Sequence, residues 1–588
     1  MQRAFLFLIV GVLAVVAVVY AVRHSQTTSN TAVTALLPRE TVAFAHLPDF
    51  NAARKDWLRS GIYQLYTEPT VQEFLRKTPG QKNTASNSLS EFEQLDPKDA
   101  FVALTSIANN TPKLVAGFRY AGSQSAAEAI IGRWRANLLG ESDATKGEPQ
   151  DYEQHKIDIY TRGPFTIASA YDGRWFFAAN DLAELKAVID RADGRVKDRQ
   201  SLLSADESFR AAMAEMPSRY ALCFFLQPKT FAANLSPEHR AALESVGAVC
   251  ATTRFDNGEI HDALFVAMPK AQSVATLTRA SAALGTKDTF LYVASLLDFS
   301  KQVALLDASS GIGGGSFLGS ALQKMGTVLE RAQITSDQWN AAFAGEGGVL
   351  ADWATNAHWP SAVATFPVKD FARAKNMAGV IAHASDEDAV WQESDRNGVH
   401  YFSVAAASGF LVMRPTIAVS ERAMIVGLDP GSVQAAVERS GSAASDFSNG
   451  SNYKAASASM PAPTHFFAFV DLALLYARID STLRPLLLMG AAFVPDVNDH
   501  VDLSKVPPAE IVTKHLAPIV SSQIYRNGGY LTESVGPITL SHSGIALVAL
   551  IALGGDSANL TNTLGSLASP PLMISPSATA TATPAGTP

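Results

Sequence analysis

The sequence predicts an α+β fold built twice: two tandem duplicated domains of antiparallel sheets with covering helices, preceded by one N-terminal transmembrane helix. Three observations carry this. Residues 209–217 read Phe-Arg-Ala-Ala-Met-Ala-Glu-Met-Pro and residues 453–461 read Tyr-Lys-Ala-Ala-Ser-Ala-Ser-Met-Pro, five of nine positions identical at an offset of 244. Other matches keep the same order at nearly the same offset. Pro112, Val115, Ala116 and Phe118 recur as Pro360, Val363, Ala364 and Phe366, Thr166-Ile167-Ala168 as Thr416-Ile417-Ala418, and Asn257-Gly258 as Asn527-Gly528. A domain-sized repeat of this kind lies far above the short periods of solenoids. Finally, the strand-like runs come as hairpins separated by helical runs, not as alternating βαβ pairs, which favours antiparallel layers.

The elements follow in order. A strand over 41–47 leads into a helical stretch carrying Trp57, Tyr63, Tyr66 and Phe74, and 79–90 is a polar connector. Runs 101–107 and 113–120 flank Asn-Asn-Thr-Pro and form a hairpin, since Asn and Pro supply turn geometry. Ala127, Ile130, Ile131 and Trp134 recur at helical spacing over 125–139. Strands over 156–161, 165–171 and 175–179 precede helices over 182–192 and 204–215. The unit closes with a strand over 220–226, a polar helix near 238–245 and a hairpin turning on Asp256-Asn257-Gly258. The second unit repeats the order, with another hairpin at Asp395-Arg396-Asn397-Gly398. The divisions are 1–3 as a cytoplasmic stub, 4–22 as anchor or signal, 23–32 as tether, 33–275 as first domain, 276–284 as linker, 285–560 as second domain and 561–588 as a disordered Ser/Ala/Thr/Pro tail.

Ala4 to Val22 is an unbroken apolar run preceded by Arg3. As a helix it spans about 28 Å, close to the hydrocarbon thickness of a bilayer. It reads as an uncleaved anchor, with a cleaved signal ending near Val19-Tyr20-Ala21 as the alternative. Either reading exports the rest, so the chain is expected at the inner membrane, single-pass, with its bulk on the periplasmic or extracytoplasmic side. With 47% hydrophobic and 17% charged residues, each unit can bury a substantial core. A net charge of −8 without basic runs excludes nucleic acid as a partner, because phosphate binding needs clustered Lys and Arg.

Cys223 and Cys250 are the two cysteines, in a compartment that permits disulfides. Both sit in strand-like runs, and their repeat counterparts are Phe467 and Val520, so both are expected to face a core. They form either a disulfide or a pair of inert buried thiols.

The opening Leu-Leu-Pro-Arg-Glu-Thr-Val-Ala-Phe-Ala-His-Leu-Pro-Asp at 36–49, and Asp-Thr-Phe-Leu-Tyr-Val-Ala-Ser at 288–295, resemble the domain starts of an uncharacterised family of exported, membrane-anchored bacterial proteins carrying a large domain of unknown function. The resemblance implies an envelope location over residues 35–560 and carries no functional residue across.

Candidate chemistry is sparse. Gly311-Ile-Gly-Gly-Gly-Ser316 has Ser where a dinucleotide loop needs its third Gly, so it reads as a flexible linker and no cofactor is implied. Asp496-Val-Asn-Asp-His-Val-Asp502 begins like a calcium loop but has Val501 where that loop needs Gly, and reads as a solvated turn. Asp386-Glu387-Asp388, with His383, Glu393, Asp395 and His400 nearby, gathers carboxylates and imidazoles without a known ligand spacing. His542 and Ser543 are strand neighbours and point to opposite faces. The catalytic residues of an enzyme, if it is one, stay unknown at this level. The expectation is a non-enzymatic envelope protein presenting its two domains for binding or scaffolding to an envelope protein or apolar ligand; the alternative is an envelope hydrolase with an inter-domain site. A third reading rests on residues 472–494, where the second unit departs from the first in becoming strongly apolar. There Leu486, Leu487, Met489 and Phe493 either pack inside the protein or line a groove for an apolar ligand.

Overall fold

The computed structural model describes residues 27–28 and 31–539, apart from 76–90, 92, 109–110, 140–144, 163–164, 233–245, 271–275, 297–327, 329–330, 386–389, 406–412, 443 and 492–504. The Ala4 to Val22 run, the tether to Gln26, the polar helix near 238–245, the glycine cluster, the calcium-like turn, Asp386 to Asp388, His542, Ser543 and the tail therefore lie outside the described residues. Among the described residues no helix is long and apolar enough to cross a membrane.

A 21-stranded antiparallel sheet, dressed with helices, gives an α+β architecture. Ten strands belong to the first half of the chain: β1 Ala43–Asp49, β2 Lys98–Ala108, β3 Thr111–Arg119, β4 Gln150–Tyr152, β5 His155–Arg162, β6 Phe165–Asp172, β7 Trp175–Ala179, β8 Leu222–Leu226, β9 Val249–Asp256 and β10 Glu259–Ala267. Ten belong to the second: β11 Thr289–Leu296, β12 Glu346–Asp352, β13 Ser361–Pro367, β14 Trp391–Arg396, β15 Val399–Val404, β16 Thr416–Val419, β17 Ala423–Gly427, β18 Phe466–Val470, β19 Ile519–Arg526 and β20 Gly529–Gly536. The remaining short strand, Thr145–Lys146, pairs with β5. Along the sheet the first half runs β4-β5-β6-β7-β3-β2-β1-β8-β9-β10. The second runs β14-β15-β16-β17-β13-β12-β11-β18-β19-β20, the same order strand for strand.

Local chemistry explains the hairpins. Asn257-Gly258, Asn397-Gly398 and Asn527-Gly528 all hold both residues at positive φ, between 49° and 86°. That is the two-residue turn whose twist matches the strands it joins, and Asn and Gly tolerate it best. Of the pairs matched in sequence, Asn257 and Asn527 both turn the last hairpin of their half, and Pro112 lies at the start of β3 as Pro360 lies just before β13.

Helices cover both faces. In the first half α1 Phe50–Trp57, α2 Gly61–Thr67 and α3 Pro69–Leu75 follow β1, α4 Gln124–Leu139 follows β3, and α5 Leu182–Ala192 and α6 Glu207–Ala214 precede β8. In the second, α7 Ser336–Ala342 precedes β12, α8 Phe371–Ser385 follows β13, and α9 Pro430–Arg439 and α10 Ser451–Ala458 precede β18. After β18 come α11 Leu472–Ala491 and α12 Ala509–Thr513. The first core sets Phe44, Phe101, Phe177, Phe225 and Phe265 from alternate strand positions under Leu185, Val188 and Ile189 of α5 and Phe209 of α6. The second sets Tyr292, Phe467 and Phe469 under Val433 of α9, Tyr453 of α10 and Phe447 of the short helix Asp446–Asn449 between them. Thus Phe209 and Tyr453, the leading residues of the twice-written stretch, occupy the same place under their sheets. Residues 276–284, expected as a linker, pack against the second half. Leu277, Ala282 and Leu284 are buried in the second core, and Ala280–Leu284 forms a 3-10 turn, because apolar side chains at those positions gain more from burial than from water.

The halves join edge to edge. β10 and β20 pair over eight residues, from Ile260 opposite Gly536 to Ala267 opposite Gly529. A Cβ on Gly529 would lie 2.4 Å from the Phe265 ring, so glycine there lets the Phe265 ring cross the join. Polar contacts flank the seam. Glu68, between α2 and α3, accepts from His515 at 2.7 Å and pairs with Lys514 at 2.6 Å. Buried Asp262 accepts from Thr253 at 2.6 Å and from Thr539.

Candidate functional site

An open groove of about 800 Å³ runs along α8, lined by Arg331, Lys375, Gly379, Val380, His383, Glu393 and Phe402. A hollow of about 290 Å³ continues it past Val380 toward Ile334, Gln338 and Arg373. Helical periodicity builds it. Ala374, Met377, Ala378 and Ala382 turn into the core with Phe402, Ile417 and Met424, which leaves Lys375, Gly379 and His383 on the shoulder, one turn apart, and Val380 exposed. His383 donates from Nδ1 to the Gly379 carbonyl at 2.7 Å, which ties its ring to the helix.

The first half carries an ion pair at the same place. Ala127, Ile130 and Ile131 of α4 are buried with the spacing of Ala374, Met377 and Ala378, so Arg133 stands where Val380 stands. There Glu91 accepts from Arg133 Nε at 2.8 Å and from Trp134 Nε1 at 2.6 Å, fastening the preceding segment onto the helix.

The structure brings together part of the acidic and imidazole group seen in the sequence. Glu393 and Asp395, two apart on β14, share a face, and the register sets His400 directly opposite Asp395. Buried His400 bonds Asp395 through Nδ1 at 2.7 Å and Glu393 through Nε2 at 3.1 Å. Carboxylates only accept, so the ring makes both bonds by carrying both protons, and it then offers no lone pair as a base. The His400 bond, and after it the charges of His400 and Lys375, hold the Asp395 carboxyl below its usual range. The arrangement pins the β14–β15 hairpin that forms one wall of the groove.

Cys223 and Cys250 lie on neighbouring strands of the first core, fully buried, as their counterparts Phe467 and Val520 are buried in the second. The structure keeps them as free thiols with Sγ atoms 4.0 Å apart, in place of the disulfide the sequence allowed. The register explains this: Cys250 faces Phe225, so the two cysteines are diagonal, and both thiols turn to Met213 Sδ at 3.6 and 3.4 Å. The Cys223 bond and burial push the Cys250 thiol well up, away from reactive thiolate.

Leu486, Leu487 and Met489 fall in α11, but their side chains, like the whole of Phe493, lie outside the described residues. The described part of α11 is docked by polar groups. Arg478 binds Asp288 and the Trp353 carbonyl, each at 2.7 Å, and Arg484 binds the Val506 and Pro507 carbonyls, each at 2.7 Å.

Two clusters had no sequence signal, because their members come from separate turns and strands. His46 of β1, almost fully buried, accepts or donates through Nδ1 with Tyr220 Oη at 3.0 Å and has Asp99 at 3.6 Å from Nε2. Burial lowers its pKa to about 3. His155, Asp172 and Asp193 converge at one end of the first half. The groove's Lys375 and Val380 were also missed, though an apolar residue with Lys and His on one helical shoulder is a pattern the sequence displays.

No family model matches this chain, and no curated protein matches it. Among solved structures, crystal forms III, I and IV of TP0453 align with 41% of this chain and with 80%, 79% and 81% of theirs, at 8%, 8% and 7% identity. Their TM-scores of 0.23, 0.22 and 0.22 mark a likeness too slight to carry fold or function across.

Proposed function

We propose that this chain is a membrane-anchored, non-enzymatic cell-envelope protein, held in the inner membrane by Ala4 to Val22, that presents two duplicated α+β domains on the periplasmic side to bind an envelope protein. The matched strand order of the halves supports duplication. The observation that carries the binding reading is the difference between the halves at one matched place: Arg133, exposed, is bonded with Trp134 to Glu91, whereas Val380 is an exposed apolar side chain beside Lys375 on a groove that is open among the described residues. An apolar side chain left exposed on a groove, where the other half places a bonded charge, suits a contact surface. His400, with both nitrogens engaged, favours binding over hydrolysis at this groove.

The test uses the full chain solubilised from the envelope. Alkaline carbonate should leave it in the membrane, and protease added outside that membrane should digest it. A protein that co-purifies with the wild type should be lost from Val380→Asp and from Lys375→Glu, with the unfolding midpoint unchanged. Equal recovery with both variants would overturn the groove, and release by carbonate would overturn the anchor.

A further inference from the structure

His155 begins β5 directly after the turn at Glu153 and Gln154, Asp172 ends β6, and Asp193 caps the C-terminal end of α5. Adjacent hairpins and the helix that crosses them thus aim three side chains at one point. Their ligand atoms all lie within 4.8 Å of one another. Two further features point to what belongs between them. The Tyr171 carbonyl lies 3.3 Å from His155 Nδ1, and a carbonyl only accepts, so Nδ1 carries the proton. Nε2 then faces Asp193 Oδ2 at 3.0 Å. Lone pair against carboxylate is repulsive unless a second proton or a cation lies between. A histidine anchored through Nδ1 to a carbonyl, with Nε2 turned to carboxylates, is the usual posture of a metal-bound imidazole, and an entering ion would take the place of the Nε2–Asp193 contact. Asp172, half-buried, has no hydrogen bond or ion pair to its carboxylate among the described residues, so one oxygen ligand is uncommitted.

We propose that His155, Asp172 and Asp193 form a site for a divalent transition-metal ion of the zinc class, with a remaining position left to water. One nitrogen and two carboxylate oxygens suit such an ion, and bonds of about 2.0–2.2 Å require only that the carboxylates close inward. The site is independent of the groove. Arg195 is its competitor: the guanidinium donates to Asp193 and to Asp190, so an entering cation displaces it from Asp193. Without metal, Arg195 and the His155 pair hold the three turns together; with metal, the ion takes over.

Isothermal titration of the full-length chain in detergent, stripped with a chelator, tests this with Zn2+ alone, and visible absorption tests it with Co2+. One equivalent should bind the wild type. His155→Ala and Asp172→Asn should weaken binding at least tenfold, exposed His358→Ala should not, and Arg195→Gln should tighten it several-fold by removing the competing charge. Asp172→Asn keeps the side chain's shape, so it decides the matter if His155→Ala does not fold. Absent binding to the wild type, or equal affinity of wild type and Asp172→Asn (an adventitious ion only), would overturn the site.

Discussion

Glu215 and Arg526, 311 residues apart in the chain, meet across the seam between the halves, Arg526 Nε donating to Glu215 Oε2 at 2.5 Å. Asn527 donates to the other carboxylate oxygen at 2.7 Å, so the residue that ends α6 in the first half grips the final turn of the second. The carboxylate is nearly buried and the guanidinium is about half exposed, which limits the pair's worth. Glu215→Ala should lower stability by about 1–2 kcal/mol, chiefly through the buried hydrogen bonds lost. Urea unfolding measures it. An unmoved midpoint would show that the seam is held by strand pairing alone.

His46 sets a pH dependence. Its ordinary pKa is 6.5 and burial lowers it to about 3, while the Asp99 carboxylate nearby is already bound by Arg119. The unfolded chain takes up a proton as pH falls through 6.5 and the native state does not, so stability is full above 6.5 and falls as pH drops toward 3. The slope is about 1.4 kcal/mol per pH unit, or about 2 kcal/mol by pH 5. His46→Gln should flatten this part of the profile whatever its stability at pH 7. A variant with the wild-type slope would refute the assignment.

The two thiols give a count. Cys223 and Cys250 are fully buried and unbonded, so a thiol reagent should find neither in the native protein and both after denaturation without reductant. Finding none after denaturation would mean that the diagonal pair closes in the native protein.

Much of the sheet was legible because its signals are local. Asn-Gly at 257, 397 and 527 marked three hairpins, and the apolar runs over 41–47 and 220–226 marked two core strands. The continuity of the sheet was not legible, since nothing near Phe265 or Leu531 announces that β10 and β20 are partners; pairing across more than 260 residues leaves no periodic trace. The burial of Leu277 and Leu284 within 276–284 was not legible either, because the core they fill is assembled from distant strands. His400 was noticed with its carboxylates because all three lie in one hairpin. His155, Asp172 and Asp193 passed unnoticed because three separate turns supply them.

The second half is proposed to bind through the groove along α8, at the place where the first half pairs Arg133 with Glu91. A photo-crosslinking residue at position 380 or at the matched position 133, in the full-length chain in intact cells, tests this. A discrete adduct is expected at 380, lost with Lys375→Glu, and none at 133. No adduct at 380, or equal adducts at both positions, would contradict it.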